Sequence, residues 1–319
     1  MKKGELPKKI AVLMGGPGSE RDVSLATGRG VSKALRSLGL EVVDVDVRDE
    51  KFPLPNDVDL AFITIHGTFG EDGQLQKILE DRGIAYTGDG VEGSRAAFDK
   101  FLSKEKFRQH NVVTPEWEVI DLGQRPKISV PLVLKPPCQG STVGVVIVKD
   151  QSRLDSAMAE AGKYDRKLLV EKFVSGRELT IGILGDQALP ILEIIPKGGF
   201  YDFNTKYPFL NPQAGASAEH VCPANVDAGL TKKIQELALK AFRALGLVVY
   251  GRVDVLLSDQ GKPFVLEVNT IPGMTEASLL PEAAAAASGS RLVSVIPGIV
   301  FTSSTNGSPL SDKRTSTRP

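Results

Sequence analysis

The sequence predicts a mixed α/β protein, with an open parallel α/β unit at the N-terminus followed by strands joined through hairpins and glycine loops. Three stretches carry that prediction. Residues 9–16, KIAVLMGG, are a short apolar run that ends in glycines and leads into a helical stretch. Residues 130–148, VPLVLKPPCQGSTVGVVIV, read as strand, polar glycine loop, strand. Residues 251–274, GRVDVLLSDQGKPFVLEVNTIPGM, read as two alternating strands around a polar turn at 258–262.

The chain has 319 residues, enough for two or three domains with their own cores. Hydrophobic residues make up 41% and charged residues 24%, ordinary values for a globular protein. The 39 cations balance the 39 acids, which argues against nucleic acid or another polyanion as a general partner but leaves room for a local basic site. Two cysteines, Cys138 and Cys222, form neither a disulfide framework nor a zinc pattern, so a reducing, cytoplasmic setting is expected. The basic start, MKKGELPKK, is followed only by IAVLM before a glycine pair, which reads as a strand rather than a signal-peptide core. No apolar run reaches 18 residues, so no membrane partner is expected.

In chain order, the first strand enters the loop GGPGSERDVS and a helix over 22–38, with Ser19 or Asp22 available as its cap. Strands at 41–47 and 59–66 complete the open parallel unit, whose strand ends are where ligands bind. The spacing of Gly15, Gly16 and Gly18 does not match a dinucleotide fingerprint. Glu20 suits an ammonium ligand. A second glycine loop, HGTFGEDG at 66–73, precedes a helix at 74–82 and carries His66 at a strand end. His110 and His220 lack such context and read as structural. A helix over 94–111 is expected, with Lys100, Lys104 and Lys106 mostly on a solvated face. A strand at 117–120 follows, and then the flap within 130–148, with Lys135 at a strand end and the hydroxyls of Ser141 and Thr142. That flap is either an ordinary hairpin or a cover that closes over phosphates. Cys138 within it reads as an ordinary loop residue. Strands at 168–173 and 178–184 bracket a turn flanked by Glu171 and Glu178, either solvated acids or acceptors for the amine and hydroxyls of a nucleotide. Residues 197–223 form a long polar-aromatic loop that reads as an ordered lid. A helix at 229–246 precedes the hairpin, and a helical start follows Pro281. The closing TSSTNGSPLSDKRTSTRP reads as disorder.

The hairpin concentrates chemistry. Alternation puts Arg252, Asp254 and Leu256 on one face, and Val265, Glu267 and Asn269 on one face of the returning strand. Folding at Gln260–Gly261 sets Asp254 opposite Glu267 and Arg252 opposite Asn269, with Cβ atoms about 5 Å apart. Facing carboxylates repel unless something neutralises them. Either this is a solvated face with ordinary ion pairs, or a divalent cation sits between hard oxygen ligands of the kind magnesium takes.

GGPGSERDVS, HGTFGEDG, the Asp99-Lys100 pair, KPPCQGSTVG, EKFVSGRE, FYDFNTKY, GRVD and EVNTIPGMT stand in this order. Together they resemble the D-alanine–D-alanine ligase family of the ATP-grasp superfamily, over roughly residues 8–285. The resemblance implies an N-terminal α/β domain at 1–94 and a two-subdomain, α+β ATP-grasp fold, central at 95–179 and C-terminal at 180–300. A disordered tail is expected at 301–319. It implies ATP, two Mg2+ or Mn2+ ions, two D-alanine molecules and a homodimer. Glu20 would hold the first D-alanine's ammonium, with His66 beside it. Lys100 and Lys135 would contact ATP phosphates, Glu171 the adenine amine side and Glu178 the ribose. Ser141 and the glycine flap would close over the phosphates and link to Glu20 and Tyr207, with Lys206 and Tyr207 in the lid. Arg252 would stabilise the oxyanion, and Asp254, Glu267 and Asn269 would bind the metals. Ser278, Gly273 and Leu279 would receive the second D-alanine's carboxylate. One stretch departs from the family: SGSRLVSVIPGIVFTSSTNG lacks a helical stripe and is interrupted by Pro297, so the family's terminal helix is expected to be missing or replaced.

The implied activity is ATP-dependent joining of two D-alanines, through a D-alanyl phosphate, to the dipeptide used in peptidoglycan synthesis. A carboxylate needs such activation to condense with an amine, and water must be kept from the acyl phosphate. At Tyr207 the lid resembles that of the dipeptide-forming ligases, which implies D-alanine rather than D-lactate as nucleophile. Two alternatives stand beside it: another ATP-grasp carboxylate–amine or D-Ala–D-lactate ligase, and a catalytically silent nucleotide-binding protein.

Overall fold

The computed structural model describes residues 7–140, 143–196, 218–275 and 277–288. Ser141, Lys206, Tyr207, most of the lid loop and everything beyond residue 288 lie outside the described residues, as do the expectations made for them.

The described residues form three sheets. Strand β1 (Lys9–Gly15) is the centre of a three-stranded parallel sheet, flanked by β2 (Glu41–Val47) and β3 (Leu60–Ile63). Its apolar run is continuous because both faces are covered. Ile10, Val12 and Met14 meet helix α1 (Arg21–Ser37) on one side; Ala11 and Leu13 meet Leu75 and Leu79 of α2 (Gln74–Asp81) on the other. Glu20 takes the N-cap position of α1 without a side-chain cap bond, so neither Ser19 nor Asp22 caps the helix as expected. Ser19 lies one residue too early. Asp22 is already inside the first turn, where its charge still favours the helix dipole.

The expected helix at 94–111 is two helices, α3 (Val91–Phe98) and α4 (Lys100–Gln109). Asp99 takes an extended conformation between them, and its carboxylate accepts from the backbone N–H groups of Phe101 and Leu102. An Asp inside an apparently helical run can thus restart the helix as a cap. Ser103 Oγ closes the corner by donating to the carbonyls of Ala96 and Ala97.

The second sheet is antiparallel, in the order β4 (Trp117–Asp121), β7 (Lys167–Lys172), β5 (Leu132–Lys135), β6 (Val146–Val148). Helix α5 (Leu154–Ala161) covers it through Leu154, Ala157 and Met158. The third sheet runs β11 (Glu219–Val221), β10 (Leu192–Ile195), β8 (Gly176–Leu184), β12 (Tyr250–Ser258), β13 (Pro263–Asn269), with β9 (Gln187–Ala188) beside β8. Its core face packs on α6 (Ala228–Ala244) through Ile234, Ala238, Ala241 and Phe242. The last described helix, α7 (Leu279–Ser288), leans on the N-terminal sheet through Leu280, Ala283 and Ala284. Pro281 sits in its first turn, where a missing N–H costs no helical bond.

The expected domain cuts at 94/95 and 179/180 fall inside α3 and inside β8. Ala96 and Ala97 of α3 belong to the core of the third sheet, so the composition change near 95 does not coincide with a break in packing. No helix among the described residues is long and apolar enough to cross a membrane.

Candidate active site

The β12–β13 ladder pairs Arg252 with Asn269 and Asp254 with Glu267, the pairs expected from the sequence. It reaches that register by another route. At the turn, Leu257 pairs with Pro263, one residue off a fold centred between Gln260 and Gly261. A bulge between the Asp254 and Val255 pairs takes up Leu266 and restores the offset at the acids. The bulge also resets the alternation. Val265 therefore joins Val268 in the core instead of sharing a face with Glu267, and Leu266 lines the cleft beside Glu267.

On the open face, Arg252 donates from Nε and Nη2 to the two oxygens of Asp254, both at 2.9 Å. Thr180 Oγ1 adds a third bond to Asp254 Oδ1 at 2.6 Å. Asn269 Oδ1 accepts from the N–H of Ile271 at 2.9 Å, which holds the amide at the strand's exit. Asp254, Glu267 and Asn269 are hard oxygen donors of the kind a magnesium ion takes. Among the described residues, no group of three His, Cys, Asp or Glu is gathered for a metal. The set on the hairpin is two carboxylates and an amide, so its donors fit an ion completed by other oxygens.

Facing the hairpin across a cleft are the lysines. Lys135, at the end of β5, and Lys104, on α4, clasp the two oxygens of Glu171 on β7. Glu171 and Lys104 are 1% and 2% exposed, so neither is the solvated group the sequence suggested for Lys104 or allowed for Glu171. Burial pushes the Glu171 carboxyl up, but the two ammonium groups outweigh it and hold its pKa at about 2. Burial lowers the pKa of Lys104 from the usual lysine value, opposed mainly by Glu171. Lys106 is exposed, as expected. Lys100 opens α4 and turns inward: its Nζ donates to the carbonyl of Gln139 at 2.7 Å and its N–H to that of Pro137 at 3.1 Å. Burial lowers its pKa too, with Glu267 acting against the shift. The base of the flap is thereby tied to α4. Cys138 in that flap has its thiol pushed up to about 11, chiefly by desolvation, and is not a ready nucleophile.

Between the second and third sheets lies a cleft of about 500 Å³, within the usual range for small-molecule sites. Val133, Ile147, Phe173, Leu256 and Leu266 give it apolar walls. Its charged lining residues include Lys100, Lys135, Glu171, Glu178, Asp254 and Glu267. A narrower space links Lys100, Lys135, Glu267 and Asn269 to Gln139, Gly140 and Glu71, on the side of the N-terminal unit.

The two N-terminal glycine loops meet there. A Cβ on Gly67 would lie 2.4 Å from Glu20 Oε2, and one on Gly140 would lie 2.5 Å from the same oxygen. Glu20 is therefore seated between the 66–73 loop and the flap. His66 is buried; its Nε2 is 2.9 Å from Thr27 Oγ1 and its Nδ1 3.5 Å from Glu71 Oε1. Ser24 Oγ accepts the N–H of His66 and donates to the carbonyl of Glu20, which locks the two loops together. His220 bridges β11 to α7 by a 2.8 Å contact with Glu282, and His110 is exposed at the end of α4. At the far end, Ser278 Oγ accepts the N–H of Thr275 at 2.9 Å and lies beside Gly273. Leu279 opens α7 with its side chain packed on Leu192 and Ile194.

Sequence reasoning missed Lys104, Thr114 and Thr180. Lys104 had one visible signal: it lies four residues after Lys100 on one helix, a like-charge pair that needs acids nearby.

Residues 46–89 match the D-ala D-ala ligase N-terminus family and residues 100–300 the D-ala D-ala ligase C-terminus family. The chain is 48% identical over 281 residues to a D-alanine–D-alanine ligase of Methylacidiphilum infernorum, covering 88% of this chain and 91% of the relative. It is 45% identical over 284 residues to the enzyme of that name from Geotalea uraniireducens, covering 87% and 90%. Among solved structures, it is similar to the D-alanine–D-alanine ligase of Bacillus anthracis complexed with ATP, at 32% identity and a TM-score of 0.78, covering 93% of this chain and 97% of that one. The VanG D-Ala:D-Ser ligase of Enterococcus faecalis aligns with a TM-score of 0.79 at 26% identity, covering 92% and 99%. A chain matched by both family models, and by relatives of this identity along most of its length, belongs to the D-alanine–D-alanine ligase family.

Proposed function

We propose that the chain joins two D-alanines at the expense of ATP, through a D-alanyl phosphate. The observation that carries this reading is the cleft between the second and third sheets, whose lining combines apolar walls with Lys100, Lys135, Asp254 and Glu267. Such a space suits a flat base and a charged phosphate chain together. Glu171 and Glu178 would take the base amine and the ribose hydroxyls. Lys100 and Lys135 would draw charge from the phosphates. Asp254, Glu267 and Asn269 would hold two Mg2+ or Mn2+ ions. Bound there, the ions supply neutralisation of phosphate charge.

Glu20, seated beside Gly67 and Gly140, would bind the ammonium of the first D-alanine, with His66 beside it. The carboxylate of that first D-alanine attacks the γ-phosphorus and ADP leaves. The amine of the second D-alanine, its carboxylate received by Ser278, Gly273 and the N–H of Leu279, attacks the acyl carbon. Arg252, already fixed by Asp254, is preorganised to meet the oxyanion before phosphate departs. Ser141, Lys206 and Tyr207 would complete the cover that keeps water out. We expect a cytoplasmic homodimer.

The test is ADP and phosphate release by purified protein with ATP, magnesium and D-alanine. Release that depends on D-alanine supports the reading; its absence with nucleotide still bound favours the silent alternative. Parallel assays with D-serine, D-lactate and L-alanine fix the second substrate, a choice sharpened by the likeness to a D-Ala:D-Ser ligase.

A further inference from the structure

We propose that Lys104 is a positioning residue for nucleotide binding. It aims Glu171 at the 6-amino group of the purine and fastens that wall of the cleft to the β13 bulge. The proposal rests on the reading that a purine triphosphate occupies the cleft.

Lys104 is 2% exposed, which is costly for an ammonium group unless its position matters. Its Nζ has two partners. One is Glu171 Oε1, while Lys135 takes Oε2 of the same carboxylate. The other is the hydroxyl of Thr114. Thr114 Oγ1 in turn donates to the carbonyl of Val265 at 2.8 Å, across 151 residues of chain. Val265 is the residue just before the bulged Leu266, and Glu267 follows it. The N–H of Val265 donates to the carbonyl of Val113 at 2.9 Å, so the same short segment is bound twice to β13. Lys104 thus stands at a junction of three elements: α4, the strand carrying Glu171, and the edge of the hairpin carrying Glu267.

Glu171 lines the cleft although it is otherwise buried. Held by two lysines it stays ionised, and burial alone would drive it toward the neutral acid. The protonation state decides what the cleft reads. An ionised carboxylate only accepts hydrogen bonds, so it prefers a 6-amino purine. A neutral carboxylic acid can donate, and so tolerates a 6-oxo purine. Lys104 and Lys135 hold Glu171 directly; Lys100 and Glu267 are the other charged groups whose fields reach this cluster.

The experiment compares wild type, Lys104→Met and Thr114→Val in steady-state kinetics with ATP and with inosine triphosphate, alongside calorimetric binding of both nucleotides. For Lys104→Met, KM for ATP should rise roughly 10- to 100-fold with kcat within about threefold, the scale seen when supporting partners of binding groups are removed. The preference for ATP over inosine triphosphate should fall by about tenfold. Thr114→Val keeps both charges and the side-chain volume, and should move the same quantities in the same direction by a smaller factor. It also decides the matter if Lys104→Met does not fold. Unchanged KM in a folded variant overturns the proposal. So does an equal loss of kcat/KM for both nucleotides, because a merely structural lysine would not alter base preference. Wild-type protein that binds nucleotide but releases no phosphate with D-alanine defeats the ligase reading and leaves this one standing. Wild-type protein that binds neither nucleotide defeats both.

Discussion

Arg252 lies across the ladder from Asn269 yet gives its guanidinium to Asp254, two residues along its own strand, through two hydrogen bonds of 2.9 Å. The same carboxylate is fixed from the neighbouring strand by Thr180 at 2.6 Å. The cation proposed for the oxyanion and the acid proposed for the metal are therefore one preorganised unit. Removing either partner should disturb both tasks, and effects at the two positions should not add.

Asp254→Asn and Glu267→Gln should each lower kcat by at least about 10³-fold if both acids act on the metal–phosphate assembly, while the fold persists. Arg252→Met should cost about 10²- to 10³-fold in kcat, the range for losing an oxyanion donor. Steady-state kinetics with melting curves on the same samples check this. Near-full activity in either acid variant would remove the metal assignment.

Gly140→Ala tests the seat of Glu20. The added methyl would lie 2.5 Å from Glu20 Oε2, so either the flap or the carboxylate must shift. KM for D-alanine should rise about tenfold, corresponding to about 1.4 kcal/mol, with a smaller effect on KM for ATP. Gly67→Ala should act in the same direction and more strongly, because Gly67 also has a positive φ of 69°. Equal, unchanged KM values in both variants would separate Glu20 from substrate binding.

Asp89 should make stability depend on pH. It is 3% exposed, and its Oδ1 accepts from the N–H groups of Val248 and Val249 at 2.6 and 3.1 Å. Burial raises its pKa from 3.8 to about 7, against those hydrogen bonds. A folded-state pKa above the unfolded one means the native state binds the extra proton. The stabilisation is complete below the unfolded value and is lost as pH climbs through about 7. Wild type should therefore melt at a lower temperature at pH 8 than at pH 5, by a few degrees on this account. Asp89→Asn, which keeps the acceptor oxygen, should flatten that difference. Glu171 does not contribute in this window: its depressed pKa gives stability that is present above the unfolded value and lost only as pH falls toward about 2. Parallel slopes in wild type and Asp89→Asn would rule out Asp89 as the source.

Phe242→Ala should be among the more destabilising core changes, at about 3–5 kcal/mol. The ring is fully buried on the core face of the third sheet and lies against Gly251, one residue before Arg252. Denaturant unfolding measures the loss; a cost below about 1 kcal/mol would mean that this face collapses to fill the gap.

Much of the site was legible because its parts are local. Period-two alternation and a polar turn were enough to bring Asp254 and Glu267 together, and glycines at strand ends marked the loops that hold Glu20 and His66. The bulge at Leu266 was not legible. It leaves the acids in register while moving Val265 to the core, and a regular alternation gives no sign of it. The helix break at Asp99 was misread for a related reason: an Asp that caps looks like an Asp on a solvated face until the backbone turns.

Sequence alone determined the parallel N-terminal unit, the hairpin and the order of the glycine loops, because each follows from the periodicity and turn chemistry of a short stretch. Only the tertiary structure decided which charges are buried. Lys104 and Glu171 come from different elements, Thr114 reaches a carbonyl 151 residues away, and Asp89 catches N–H groups about 160 residues on. The desolvation that turns an ordinary lysine into a structural cation exists only once those distant segments have closed around it.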